Sequence, residues 1–131
     1  MDIKIFRTIE RQVIEDIFVT AIEGGSNYWY FLSDDAVTKI RQAVPKSEEL
    51  YISIAISKAI LDHNVVVPIN DAENEEDIVG EISLATMQAR LQKMVDDGHY
   101  DVLEQHMNGD GDGDSADTIM QYLTMGEIVY G

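Results

Sequence analysis

The chain has 131 residues, 45% of them hydrophobic, with no cysteine and a formal net charge of −16. That length and apolar share fit one globular domain over residues 1–131, and the missing cysteine excludes a disulfide framework and a thiolate zinc site. Residues 1–65 carry seven Lys/Arg against ten Asp/Glu, whereas residues 66–131 carry only Arg90 and Lys93 against fifteen acids; that field repels nucleic acid and anionic membrane and attracts cations and basic protein surfaces.

From the N-terminus, Met1–Arg7 shows no apolar core or small-residue cleavage site, so no secretion signal is expected there. Thr8 is placed to cap a helix with Val13, Ile14, Ile17, Phe18, Ala21 and Ile22 on one face, stopped by a left-handed turn at Gly24-Gly25. The aromatic run Ser26–Leu32 reads as a strand, with Tyr28 and Tyr30 on one face and Trp29 and Phe31 on the other. Ser33 caps a short helix whose acids Asp34 and Asp35 sit at its positive end and which closes before Pro45. Ser47-Glu48-Glu49 opens another helix, striped by Ile52, Ala55, Ile56, Ala59 and Ile60 to about His63, and residues 50–56 also fit a strand.

Val65–Ile69 reads as a strand near a sheet edge, because Pro68 cannot donate to a ladder. An acidic loop spans residues 70–77, and Ile78–Ile82 is a short strand weakened by Gly80. Ser83 caps a helix with Leu84, Met87, Leu91, Met94 and Val95 on one face, ending near Gly98; a further helical stretch holds Tyr100, Leu103 and Met107. A second acidic loop lies near residues 108–117, its Asn108–Asp114 stretch alternating glycine with polar residues as a flexible connection. Asp117 or Ser115 caps a last helix broken at Gly126, and Glu127–Tyr130 closes the chain as a strand. The class is α+β, a single domain of several helices on a small, mostly antiparallel sheet. No stretch approaches the roughly twenty apolar residues of a membrane span.

The Asp110, Asp112 and Asp114 loop is a weak candidate for a divalent cation, since hard cations want several converging oxygens. As an EF-hand it fails in both registers: the twelfth position falls on Ile119 or on Gln121, where a bidentate Glu belongs. His63, His99 and His106 are too scattered for a metal motif, and no serine sits in a nucleophile elbow. Asn27, Tyr28, Trp29 and Tyr30 are candidate stacking contacts for a base or a partner side chain. The glycines before them follow a helix, whereas a phosphate cradle precedes one. No catalytic constellation and no cofactor site emerge.

Two segments, Val19–Tyr30 with its EGGSNYW stretch and Gln121–Gly131 with its GEIVYG ending, resemble a family of small bacteriophage and prophage proteins that share EGG-[SI]-NYW and GE-[IV]-V-[YF]-G. The resemblance implies a phage origin and a site of action in the host cytoplasm, and it carries over no catalytic residue. It raises the expectation of an inhibitor of host defence or nucleic-acid machinery, one whose carboxylates compete for a basic channel that otherwise holds DNA or RNA. Asp71, Glu73, Glu75, Glu76, Asp77, Asp96, Asp97, Asp101 and Glu104 are the residues expected on such a surface. Direct nucleic-acid binding is not expected, and self-association stays open. The competing readings are a nucleotide-signal sponge, which a basic pocket beside Trp29 would favour, and an assembly module, which a large apolar patch would favour.

Overall fold

Helix α1 (Arg11–Thr20) turns Ile14, Ile17 and Phe18 into the core, the face its three-and-four spacing predicts. In this computed structural model residues 1–3, 6–25 and 27–131 are described. Thr8 is not the cap: the N-cap position belongs to Glu10, whose side chain makes no capping bond. Nor does the helix stop at a left-handed Gly24. It widens into a π-turn over Ala21–Gly25, which buries Ala21, and Gly24 keeps a negative φ.

The expected strand over residues 26–32 shrinks to β1 (Tyr30–Phe31), with Asn27–Trp29 in a turn and Ser26 outside the described residues. Trp29 and Tyr30 are neighbours and both buried, so the alternation of a strand is broken here. Helix α2 (Asp34–Ala43) begins as its sequence indicates, with Ser33 Oγ accepting the Ala36 N–H. A 3-10 turn at Ser47–Glu49 leads into helix α3 (Ile52–His63), which closes on a left-handed Asn64; residues 50–56 do not form a strand.

Strands β2 (Val67–Asp71) and β3 (Ile78–Ile82) pair antiparallel, with a bulge between Ile69 and Asn70, and the sheet order is β1-β2-β3. The strand holding Pro68 is therefore central rather than marginal. Proline is tolerated because the two-residue β1 pairs only with Asn70 and Asp71, leaving that side of β2 without a sheet partner at Pro68. Helix α4 (Leu84–Asp96) starts on Ser83, whose Oγ accepts the Thr86 N–H, and ends at a left-handed Gly98. Helix α5 (Tyr100–Met107) follows.

The last helix, α6 (Gly113–Met125), is the axis of the domain, packing against α1, α4, α5, β3 and the π-turn. Its residues 119–124 are all buried, more than one helical face can account for, as befits a helix surrounded on all sides. Neither Asp117 nor Ser115 is its N-cap. Asp112 takes that place in a reciprocal box, its carboxylate accepting the Ser115 N–H at 2.9 Å while Ser115 Oγ accepts the Asp112 N–H at 2.9 Å. At the other end, the Arg90 guanidinium donates to the carbonyls of Leu123 (2.7 Å), Thr124 and Glu81 (3.1 Å), giving the orphan C-terminal carbonyls a positive partner. Beyond Gly126 the tail is not a strand. The backbone N–H groups of Val129 and Tyr130 donate to the Gln121 side chain instead of to a sheet. Among the described residues no helix is long and apolar enough to cross a membrane.

Candidate functional site

The two motif segments at opposite ends of the chain meet on one face of α6. Asp117 and Gln121 lie one turn apart there. The Trp29 indole N–H donates to Asp117 Oδ1 at 2.7 Å, and the Tyr28 hydroxyl donates to Oδ2 at 2.6 Å. Gln121 Oε1 accepts from Val129 (2.8 Å) and Tyr130 (2.9 Å), and its Nε2 donates back to the Tyr130 carbonyl at 3.1 Å. The Tyr130 ring then stacks on Trp29, centroids 5.3 Å apart and planes 14° from parallel.

This clamp changes the reading of the aromatic run. Trp29 is 2% exposed, with one face against Tyr130, and Tyr30 is buried, so neither offers a surface for stacking a ligand. Asn27 and Tyr28 remain on the surface, Tyr28 at 54% exposure but with its hydroxyl tied to Asp117. Burial and the Asp117 carboxylate push the Tyr28 hydroxyl up to about 12. The charge beside Trp29 is negative, opposite to what an anionic nucleotide requires.

The expected acids fall into two patches. On the β2–β3 hairpin, Asp71 is structural, its Oδ1 accepting the Glu73 N–H at 2.7 Å and the Asn74 N–H at 3.3 Å. Glu73, Glu75, Glu76 and Asp77 stand exposed on the connection that this turn shapes. The second patch joins the end of α4 to α5. Asp96 and Asp101 are exposed, while Asp97 accepts from Lys93 Nζ and from the Tyr122 hydroxyl, each at 2.8 Å, which holds its carboxyl below the usual range. Glu104 is half-buried and pairs with Arg7 at 3.4 Å. Arg90 of α4 donates to the Glu81 carbonyl of β3, at the end of that strand away from the 72–77 connection.

Most of the basic side chains are already engaged. Arg7 and Arg11 pair with carboxylates, Lys93 with Asp97, and Arg41 and Arg90 with backbone carbonyls. Lys39, Lys46 and Lys58 form no ion pair among the described residues. The negative field of the second half is therefore not neutralised from within.

The Asp/Gly loop is ordered by its own contacts. Asp112 is the α6 cap, and the Gly111 backbone presses on the His106 ring so closely that a Cβ there would lie 2.2 Å from it. His106 Nε2 and Ser115 Oγ are 2.8 Å apart, and burial lowers the histidine's affinity for a proton. Among the described residues no group of three metal-ligating side chains forms, so Asp110, Asp112 and Asp114 do not converge. The sequence reading also missed an apolar groove of about 1000 Å³ between residues 6–9, α1, α3, α4 and α5. Its one local signal was Leu84, an apolar residue at the first position of α4 that stays largely outside the core. The chain matches no protein-family model, and no curated protein or solved structure is significantly similar to it.

Proposed function

We propose that this is a non-enzymatic acidic binding protein, of phage origin, that occludes a basic nucleic-acid-binding surface of a host protein. The observation that carries the reading is the uncompensated charge: six exposed carboxylates, Glu73, Glu75, Glu76, Asp77, Asp96 and Asp101, beside a set of cations that mostly serve internal contacts. The backbone that carries these carboxylates, a hairpin connection, the end of α4 and the start of α5, is ordered before binding, which limits the conformational entropy lost when a partner neutralises them. Such a field accelerates encounter with a basic surface and repels DNA, RNA and anionic nucleotides. The nucleotide-sponge reading loses its platform, since Trp29 is covered by Tyr130 and faced by Asp117.

The test is capture of partners from bacterial lysate on the immobilised chain at low and high salt, followed by elution with duplex DNA. A partner held at low salt, released by salt and displaced by DNA supports occlusion. A partner whose capture ignores both salt and DNA contradicts it.

A further inference from the structure

A polar pocket of about 230 Å³ lies between α1, α5 and the loop that precedes α6. Asp16 and Thr20 line it one helical turn apart on α1, His106 comes from α5, and Gly109 and Gly111 come from the loop. Asp16 is the one formally charged residue among these described lining residues. Its Oδ1 accepts from Gln12 Nε2 at 2.9 Å, and its Oδ2 has no partner among the described residues. His106 is 6% exposed, with Nε2 2.8 Å from Ser115 Oγ. With the Ser115 hydroxyl donating to the Asp112 carbonyl at 3.0 Å, Nε2 is the donor of that pair, and Nδ1 is left as an acceptor without a partner among the described residues. Gly111 packs on the Nδ1 side of the ring and also lines the pocket, so that acceptor borders it. Burial lowers the affinity of the imidazole for a proton, so it is neutral at pH 7.

We infer that this pocket receives the ε-ammonium of a lysine on the partner. The inference rests on the basic-partner reading above and names one residue type by which that partner is held. A carboxylate oxygen, a hydroxyl and an imidazole nitrogen supply one acceptor for each of the N–H groups of an ammonium. The planar fork of a guanidinium suits a carboxylate with both oxygens free, and one oxygen of Asp16 is already taken by Gln12. The volume fits the end of one side chain and falls below the roughly 300–1000 Å³ of sites that enclose drug-sized ligands. A divalent metal ion is the poorer occupant, because no third ligating side chain joins Asp16 and His106 among the described residues.

The probe is n-butylammonium chloride, the lysine side chain in isolation, titrated into the intact, nitrogen-labelled protein against a potassium chloride baseline of equal ionic strength. The expected result is a saturable displacement of the His106 ring-nitrogen resonances and of the Gly109 and Gly111 amides, with at least about tenfold weaker binding to Asp16→Asn. Asp16 is exposed and Asn keeps an acceptor for Gln12, so the fold is kept. Thr20→Val removes the hydroxyl without changing shape or charge, and should weaken binding at least about threefold. Undiminished binding to Asp16→Asn, or the same displacements with tetramethylammonium, which carries the charge but no N–H, overturns the pocket. The basic-partner reading then still stands on the six exposed acids, which neither variant alters. A partner captured from lysate should lose affinity for Thr20→Val in step with butylammonium. If butylammonium binding weakens while the partner's affinity is unchanged, the lysine assignment is overturned and the pocket takes a free amine.

Discussion

The Trp29 indole and the Asp117 carboxylate, 88 residues apart in the chain, are joined by a 2.7 Å hydrogen bond with the indole almost wholly buried. Removing the acceptor would leave a buried donor unpaired and also release Tyr28. Asp117→Ala is expected to lower stability by about 2–4 kcal/mol, and Asp117→Asn by less because one carbonyl acceptor survives. Urea unfolding checks this; a loss below about 0.5 kcal/mol would mean that the clamp is incidental.

Gly80 is required by contact rather than by φ. A Cβ there would lie 2.3 Å from the Thr124 carbonyl oxygen, where α6 meets β3, and backbone cannot step aside cheaply. Gly80→Ala should therefore cost about 1–3 kcal/mol. Gly24→Ala meets nothing within 4 Å and serves as the control, neutral or mildly stabilising. Equal effects at both positions would contradict the close approach.

His106 has a folded-state pKa below its unfolded value because burial disfavours the imidazolium, although Asp112 and Asp16 both pull the other way. The unfolded chain thus takes up a proton first, and stability declines as pH falls through about 6.5, levelling off once the folded-state histidine protonates too. Asp97 and Asp112 have depressed pKa values, so their contribution is present above the ordinary carboxylate range and is lost at more acid pH, as the folded-state groups protonate. Relief of self-repulsion toward the pI of about 4.2 acts in the opposite sense, so the readout is a difference curve. The wild type minus His106→Gln stability difference should fall between pH 7 and 5. A flat difference over that interval would show that the histidine titrates alike in both states.

The acids of the two patches are expected to divide by role. Asp71 shapes the turn and Asp97 is bonded to Lys93 and Tyr122, so Asp71→Ala should cost about 1 kcal/mol and Asp97→Asn should lower stability as well. Neutralising Glu73, Glu75, Glu76 and Asp77 together should leave stability unchanged or raise it, through reduced self-repulsion. Thermal melts at low salt separate the two groups, and a destabilised quadruple variant would mean that those acids hold the hairpin.

What could be read from the chain was local. The Ser33 and Ser83 caps and the stripes Ile14–Ile17–Phe18 and Met87–Leu91–Met94 follow from periodicity within a few turns. The acidic patches were legible as composition, but not the division between structural Asp71 or Asp97 and the exposed Glu75 or Asp101. Trp29 was misassigned because its partners, Asp117 and Tyr130, come from the far end of the chain. The tail was misassigned because a side chain, Gln121, satisfies the backbone groups that a strand would have offered to a neighbour. The groove depends on the packing of four helices and an N-terminal segment, of which exposed Leu84 is the one local trace.

The most direct test of charge recognition is the affinity of a captured partner across a salt series, for the wild type and for a variant neutralised at Glu73, Glu75, Glu76, Asp77, Asp96 and Asp101. Recognition by these carboxylates requires that the variant bind at least about tenfold more weakly and that its affinity depend less steeply on salt. Equal affinity with an unchanged salt dependence would contradict it, and would place the contact elsewhere on the molecule.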